Sequence, residues 1–181
     1  MTDQPTPTAP AAAANPEGAV PPVAINAQYV RDLSFENPNA PQIMAEMRQP
    51  PAIEVKVDVK VRNLAQTVYE VALSLAATAK AGDKTAFVCE LEYAAVVTLG
   101  PSLPQEHVGG VLLVEVPRLL FPFARQIMGD ATREGGFPPL LLNPIDFADL
   151  YRRQQQAQQQ QAPAGRGNGG TVIGSDEPTL G

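Results

Sequence analysis

Two residue types that usually carry reactive or metal-binding chemistry are nearly missing from this chain, which has one cysteine, Cys89, and one histidine, His107. No intrachain disulfide can form, and no metal site built from several His or Cys ligands can come from one chain. A reducing compartment suits that composition. The chain also lacks a basic patch: its net charge is -6, with the acids dispersed. Nothing here can neutralise a run of phosphates, so nucleic acid is not an expected partner. The opening MTDQPTPTAP has neither the positive n-region nor the apolar h-region of a secretion signal. No run of about 18 apolar residues follows it. These absences together predict a cytoplasmic protein without direct membrane insertion.

What is present is enough for one domain. A chain of 181 residues with 44% hydrophobic content can bury one ordinary core but hardly two. Residues 1–26 are dominated by Pro, Ala and Thr, with too few large hydrophobes to offset about 1–2 kcal/mol of backbone ordering entropy per residue. This arm is expected to be disordered. From Gln154 the chain becomes a glutamine run and then a Gly-rich segment, so 154–181 reads as a flexible tail whose first glutamines can extend a helix. The folded domain is placed at 27–153, with 15 acids against 12 Lys and Arg.

Within that window the first half reads as strands. Gln28–Glu36 alternates, and Ile53, Val55, Val57, Val59 and Val61 alternate with Glu54, Lys56, Asp58, Lys60 and Arg62. Val68–Lys80 is more continuously apolar and leads through Gly82-Asp83, a turn signal, into alternating Thr85–Leu99. The connections after the second and third strands are too short for helical crossovers, which predicts antiparallel pairing. The second half changes period. Leu120, Phe123, Ile127 and Ala131 form a helical stripe that ends at Gly135-Gly136, with Pro117 in its first turn and Pro122 marking a kink. GPSLPQEH, including His107, reads as a polar loop, and Gly109-Gly110 as a turn. FPPLLLNP reads as an extended loop, with Asp146 as N-cap of a short helix carrying Phe147, Leu150 and Tyr151. The class is α+β: a four-stranded antiparallel sheet, then a long helix and a short C-terminal helix.

No enzyme emerges from these residues. Glu90 and Glu92 lie on an open strand face without a pocket to separate their pKa values, and the glycine pairs lack the setting of a phosphate loop. Cys89 shares a face with Phe87, Leu91 and Tyr93 and has no activating base nearby, so it is read as a small hydrophobe. Asp32 and Glu36 share one strand face, and Val88, Glu90 and Glu92 share another. The valine face from Ile53 to Val61 is either an exposed apolar surface or the core side of a strand.

The strings YVRDLSFENPNAP, VYEV, TAFVCELEY, LLFPFAR and GGFPPLLLNPIDFADLY, in this order between Gln28 and Tyr151, resemble the SecB family of protein-export chaperones. The resemblance implies a homotetramer, a dimer of dimers. It would bind unfolded precursor proteins without ATP or any cofactor and deliver them to the SecA ATPase. It also implies that the zinc-containing C-terminal segment of SecA docks on Asp32, Glu36, Val88 and Glu90. Clients would lie in a groove furnished by Ile53, Val55, Val57, Val59, Phe147, Leu150 and Tyr151, and Cys89, Leu91 and Tyr93 are assigned to an oligomer contact. The competing expectation is an α+β domain that binds a small ligand or acts as an enzyme, its apolar surfaces being only core and oligomer contact.

Overall fold

The computed structural model describes residues 21–161. Each alternating segment becomes a strand: β1 (Val23–Glu36), β2 (Ala52–Ala65), β3 (Val68–Ala81) and β4 (Lys84–Leu99). They form one antiparallel sheet in the order β1-β4-β3-β2. Tight connections account for most of this. Gly82, at φ 61°, turns β3 into β4 in two residues, as the sequence predicts for a backbone position that favours glycine. The exception is the link from β1 to β2, which must cross the end of the sheet from one edge to the other; it carries the short helix α1 (Gln42–Glu46), whose Ile43 is buried.

β1 begins four residues inside the arm expected to be disordered, because Val23 and Ile25 pair with Leu99 and Val97. Residues 1–20 of that arm, and 162–181 of the tail, lie outside the described residues. The C-terminal helix likewise runs past the expected boundary at 153, to Gln161.

The long helix also starts earlier than its periodicity indicates. Helical structure opens at α2 (Gln105–Gly110), passes through a π-helical turn (Val111–Glu115) and continues as α3 (Val116–Glu134). His107, Gly109 and Gly110 therefore sit on a helix, not in a loop or turn. Gly109 is tolerated there for a packing reason: a Cβ would stand 2.8 Å from the hydroxyl of Tyr151. Pro117 falls in the first turn of α3 and Pro122 inside it, so the π turn sits directly before the donors are lost. Gly135 and Gly136 end the helix, Gly136 at φ 86°.

α3 rests on β3 and β4 and defines the inner face of the sheet. Odd-numbered side chains of both strands point into it: Val71, Leu73, Leu75, Ala77 and Ala79 meet Phe87, Cys89, Leu91, Val97, Leu120 and Met128 in a closed core. Phe35, Phe87 and Phe137 form an aromatic cluster at one end, with ring centroids 4.9–6.4 Å apart. C-terminal to α3 the backbone N–H of Leu140 donates to the buried Thr132 hydroxyl at 2.9 Å. This pins the Pro-rich loop back onto its helix. The last helix, α4 (Phe147–Gln161), opens with the expected cap: the Asp149 N–H donates to Asp146 Oδ1 at 2.9 Å.

Gly135 sits against the Phe35 ring so closely that a Cβ would overlap it. Gly135→Ala should cost about 1–3 kcal/mol by displacing the aromatic cluster. Gly110→Ala, which meets nothing within 4 Å, should be neutral or stabilising by up to about 1 kcal/mol. Urea unfolding of the two variants side by side checks this; equal midpoints would refute it.

Candidate functional site

The sheet has two faces of opposite chemistry, and no described element covers the outer one. Register places Asp32 opposite Glu92, Ser34 opposite Glu90 and Glu36 opposite Val88 on neighbouring strands. Asp32, Glu36, Val88 and Glu90 are thereby brought onto one surface, with the three acids exposed and Val88 half-buried. Between Asp32 and Glu90 on one side and Lys56, Asp58 and Lys60 on the other lies a shallow depression of about 340 Å³, floored by Ser74 and Ala76.

The acids of this face are not equivalent. Glu92 is neutralised by Arg31 Nε at 3.4 Å and Lys60 Nζ at 3.6 Å. Among the described residues, Asp32, Glu36 and Glu90 have no cationic partner within 4.0 Å. Three uncompensated carboxylates therefore face solvent, and a fourth, two residues from Glu90, does not.

Beside them lies the one buried acid of the described residues. Glu70 is 5% exposed and accepts from the Tyr29 hydroxyl at 2.5 Å, from Arg31 at 3.1 Å and from Arg62 at 3.1 Å. A buried carboxylate must be paired to remain charged, and these three donors meet that requirement. The Tyr29 hydrogen bond, with Arg62 and Arg31 behind it, outweighs the penalty of burial and holds the Glu70 carboxyl below its ordinary range. The same bond raises the Tyr29 phenol. Nothing in the alternation of VYEV flagged this residue; the signal is an acid at an even position of an otherwise apolar strand.

The inner face is apolar, and α3 does not cover all of it. Along β2, Ile53 is 43% exposed and Val55 38%. Val57 is half-buried, and Leu150 and Tyr151 on α4 are half-buried beside the π turn. Val59 and Phe147, also assigned to the groove, are buried at 7% and 1%; Phe147 meets Phe121 edge-on at 6.0 Å. Those two are core, because the π turn lies against β2 and α4 packs on the π turn. Val61, the last residue of the valine face, is 38% exposed, and Leu64 and Leu141 add uncovered surface that the alternation does not mark. Ile53 and Leu141 share with Pro50, Pro51, Phe137 and Pro139 an apolar cleft of about 210 Å³. Leu141 is 73% exposed while Leu140 and Leu142 are buried, as an extended Pro-locked segment requires, since its side chains alternate sides.

The expected oligomer contact is corrected too. Cys89, Leu91 and Tyr93 lie beneath α3, at 0%, 2% and 8% exposure, with Cys89 Sγ 3.5 Å from Met128 Sδ. They belong to the core of one chain and offer no surface to another. Burial, with Glu90 adjacent, pushes the Cys89 thiol up to about 11, which removes it as a nucleophile. The exposed apolar side chains on this side are Val30, Leu33, Leu119 and Phe123, Phe123 stacking on Tyr93 at 6.2 Å.

Because the folded-state pKa of Glu70 is lowered, its stabilising contribution is complete above the ordinary Glu range and is lost as pH falls through the lowered value. Glu70→Gln should therefore be less stable than the parent by about 1–3 kcal/mol at neutral pH, and the two should converge in acid. Denaturant midpoints from pH 7 to pH 3 check this; a gap independent of pH would contradict it.

Residues 16–159 match the family model described as preprotein translocase subunit SecB. The chain is 57% identical to the protein-export protein SecB of Rhodospirillum centenum over 134 residues, 74% of this chain and 79% of that one. It is 50% identical to SecB of a Bradyrhizobium species over 146 residues, 80% and 90% of the two chains. Among solved structures, the SecB-like chaperone of Mycobacterium tuberculosis, in complex with a peptide from the HigA1 antitoxin, superposes with a TM-score of 0.56. At 16% identity over 68% of this chain and 90% of that one, it shares the fold. A helix-backed, four-stranded antiparallel sheet and these identities lead to one conclusion: the chain belongs to the SecB family of protein-export chaperones, which are binding proteins and not enzymes.

Proposed function

We propose that this chaperone binds unfolded precursor proteins in the cytoplasm along the uncovered inner face of β2 and passes them to SecA through the outer face. The observation that carries the reading is the exposed apolar surface at both ends of an edge strand, Ile53 and Val55 at one end, where Ile53 also lines the Leu141 cleft, and Val61 and Leu64 at the other. An unfolded chain offers apolar side chains in no fixed order. A strip that buries them yields about 25 cal/mol per Å² without selecting a sequence. A free strand edge adds main-chain hydrogen bonds to any extended segment. No step in this cycle of capture and release needs ATP or a cofactor.

The dock for SecA is the uncompensated trio Asp32, Glu36 and Glu90 with Val88 between them. Each exposed ion pair contributes about 0–1 kcal/mol, so recognition needs several at once and weakens with salt. Self-association as a homotetramer, a dimer of dimers, uses the other uncovered apolar side chains, Val30, Leu33, Leu119 and Phe123. The chaperone domain then comprises the described sheet and helices.

Glu90→Lys reverses one member of the trio and should abolish SecA binding while client binding and the tetramer persist. Undiminished SecA affinity in titration calorimetry would remove the dock from this face. Val55→Asp should do the converse, weakening suppression of aggregation of a slowly folding precursor, without nucleotide, while SecA affinity holds. A parent protein that leaves aggregation unchanged at one tetramer per precursor would overturn the chaperone reading of this surface.

A further inference from the structure

β1 has a weakness that its hydrophobic pattern does not repair. Val23, Ile25 and Phe35 pack on the core at its two ends, but between them the inner-face residues Val30 and Leu33 are each 45% exposed, so burial does little to fix the register of that middle stretch. A slip of one residue would turn Asp32 away from the outer face. The strand also carries an irregularity where this matters. Val30 pairs with Tyr93 and Asp32 with Glu92, leaving Arg31 as the extra residue of a bulge. A bulge places two consecutive side chains, here Arg31 and Asp32, on the same side of the sheet.

Both flanks of Val30 are tied to one atom group two strands away. Tyr29 and Arg31 reach over β4 to the Glu70 carboxylate on β3, a span of about 10 Å that only long side chains bridge. Arg62 on β2 binds the same carboxylate, and Arg31 and Lys60 converge on Glu92 of β4. All four strands thus meet at Glu70 and its neighbours on the outer face.

We infer that Glu70 is a positioning residue for the outer-face dock: by anchoring Tyr29 and Arg31 it holds the β1 bulge that keeps Asp32 outward and Glu92 neutralised. The inference rests on the docking reading above. It makes Glu70, which touches no partner, necessary for a partner's affinity.

A double-mutant cycle on the full-length tetramer tests it, with titration calorimetry against SecA and hydrogen exchange at residues 28–34. Asp32→Asn and Glu70→Gln should each weaken SecA binding by up to about fivefold. The double variant should bind no more weakly than the weaker single, because Glu70 acts through Asp32. Client affinity should not change, and exchange in β1 should accelerate in Glu70→Gln. Additive losses, or unchanged affinity in Glu70→Gln, overturn the inference. If Asp32→Asn alone leaves SecA affinity intact, the docking reading falls, and β1 exchange still decides whether Glu70 holds the register. Should Glu70→Gln not fold, Tyr29→Phe removes one anchor without altering charge, and unchanged β1 exchange in that variant refutes the role.

Discussion

One helix has to cover four strands, and it is too narrow to do so. Four strands spaced about 4.8 Å apart make a sheet roughly 19 Å wide, and 14 residues run about 46 Å along it. The continuous helical run Gln105–Glu134, 30 residues and about 45 Å long, matches the strands in length but is only about 10 Å across. α3 therefore shields β3 and β4, and the burial follows: the inner positions of those two strands are closed while β1 and most of β2 keep exposed apolar side chains. In an ordinary monomer such a shortfall would be a defect. In an export chaperone it provides the apolar surface on which the proposed client binding and self-association both draw.

The sequence made the elements legible and the coverage illegible. Alternation from Ile53 to Val61 announces a strand and its greasy side, and Asp146, Gly82 and Gly136 declare their caps and turns by chemistry that acts over a few residues. What alternation cannot say is which valines lie under a neighbour. Ile53 and Val59 occupy equivalent positions in the pattern, yet one is open and the other closed, because the π turn packs on only part of the strand. Cys89, Leu91 and Tyr93 were misplaced for the same reason: an apolar face looks alike whether its own helix or another subunit covers it. The helical start at Gln105 is hidden because two glycines there contradict propensity, and the reason for one of them, Gly109, is the Tyr151 side chain, far away in sequence.

The outer face shows a second kind of hidden information, carried by charge. Counted by type, it offers five acids where β1, β3 and β4 run together; counted by pairing, Glu70 and Glu92 are satisfied and Asp32, Glu36 and Glu90 are not. The satisfied pair keeps the sheet edge in place and the unsatisfied trio gives it a sign. Identical residue types thus serve cohesion and recognition a few ångströms apart. The distinction exists only once Arg31, Lys60 and Arg62 are placed in space.

The sheet is a single layer thick, and this gives its strands the character of an interleaved text. Along β2, β3 and β4, between the irregularities at Asn63/Ala65 and Ala79/Lys80, odd residue numbers lie on the helix side of the sheet and even numbers on the outer side. Neighbouring codons therefore specify different surfaces. Substitutions one position apart should sort into separate genetic classes, by parity of position more than by distance along the chain. β1 breaks the rule in mid-strand. Its bulges at Ile25/Ala27 and Val30/Asp32 reverse the parity for Ala27 to Val30 and then restore it, so in that stretch the reading frame of the two surfaces is shifted by one.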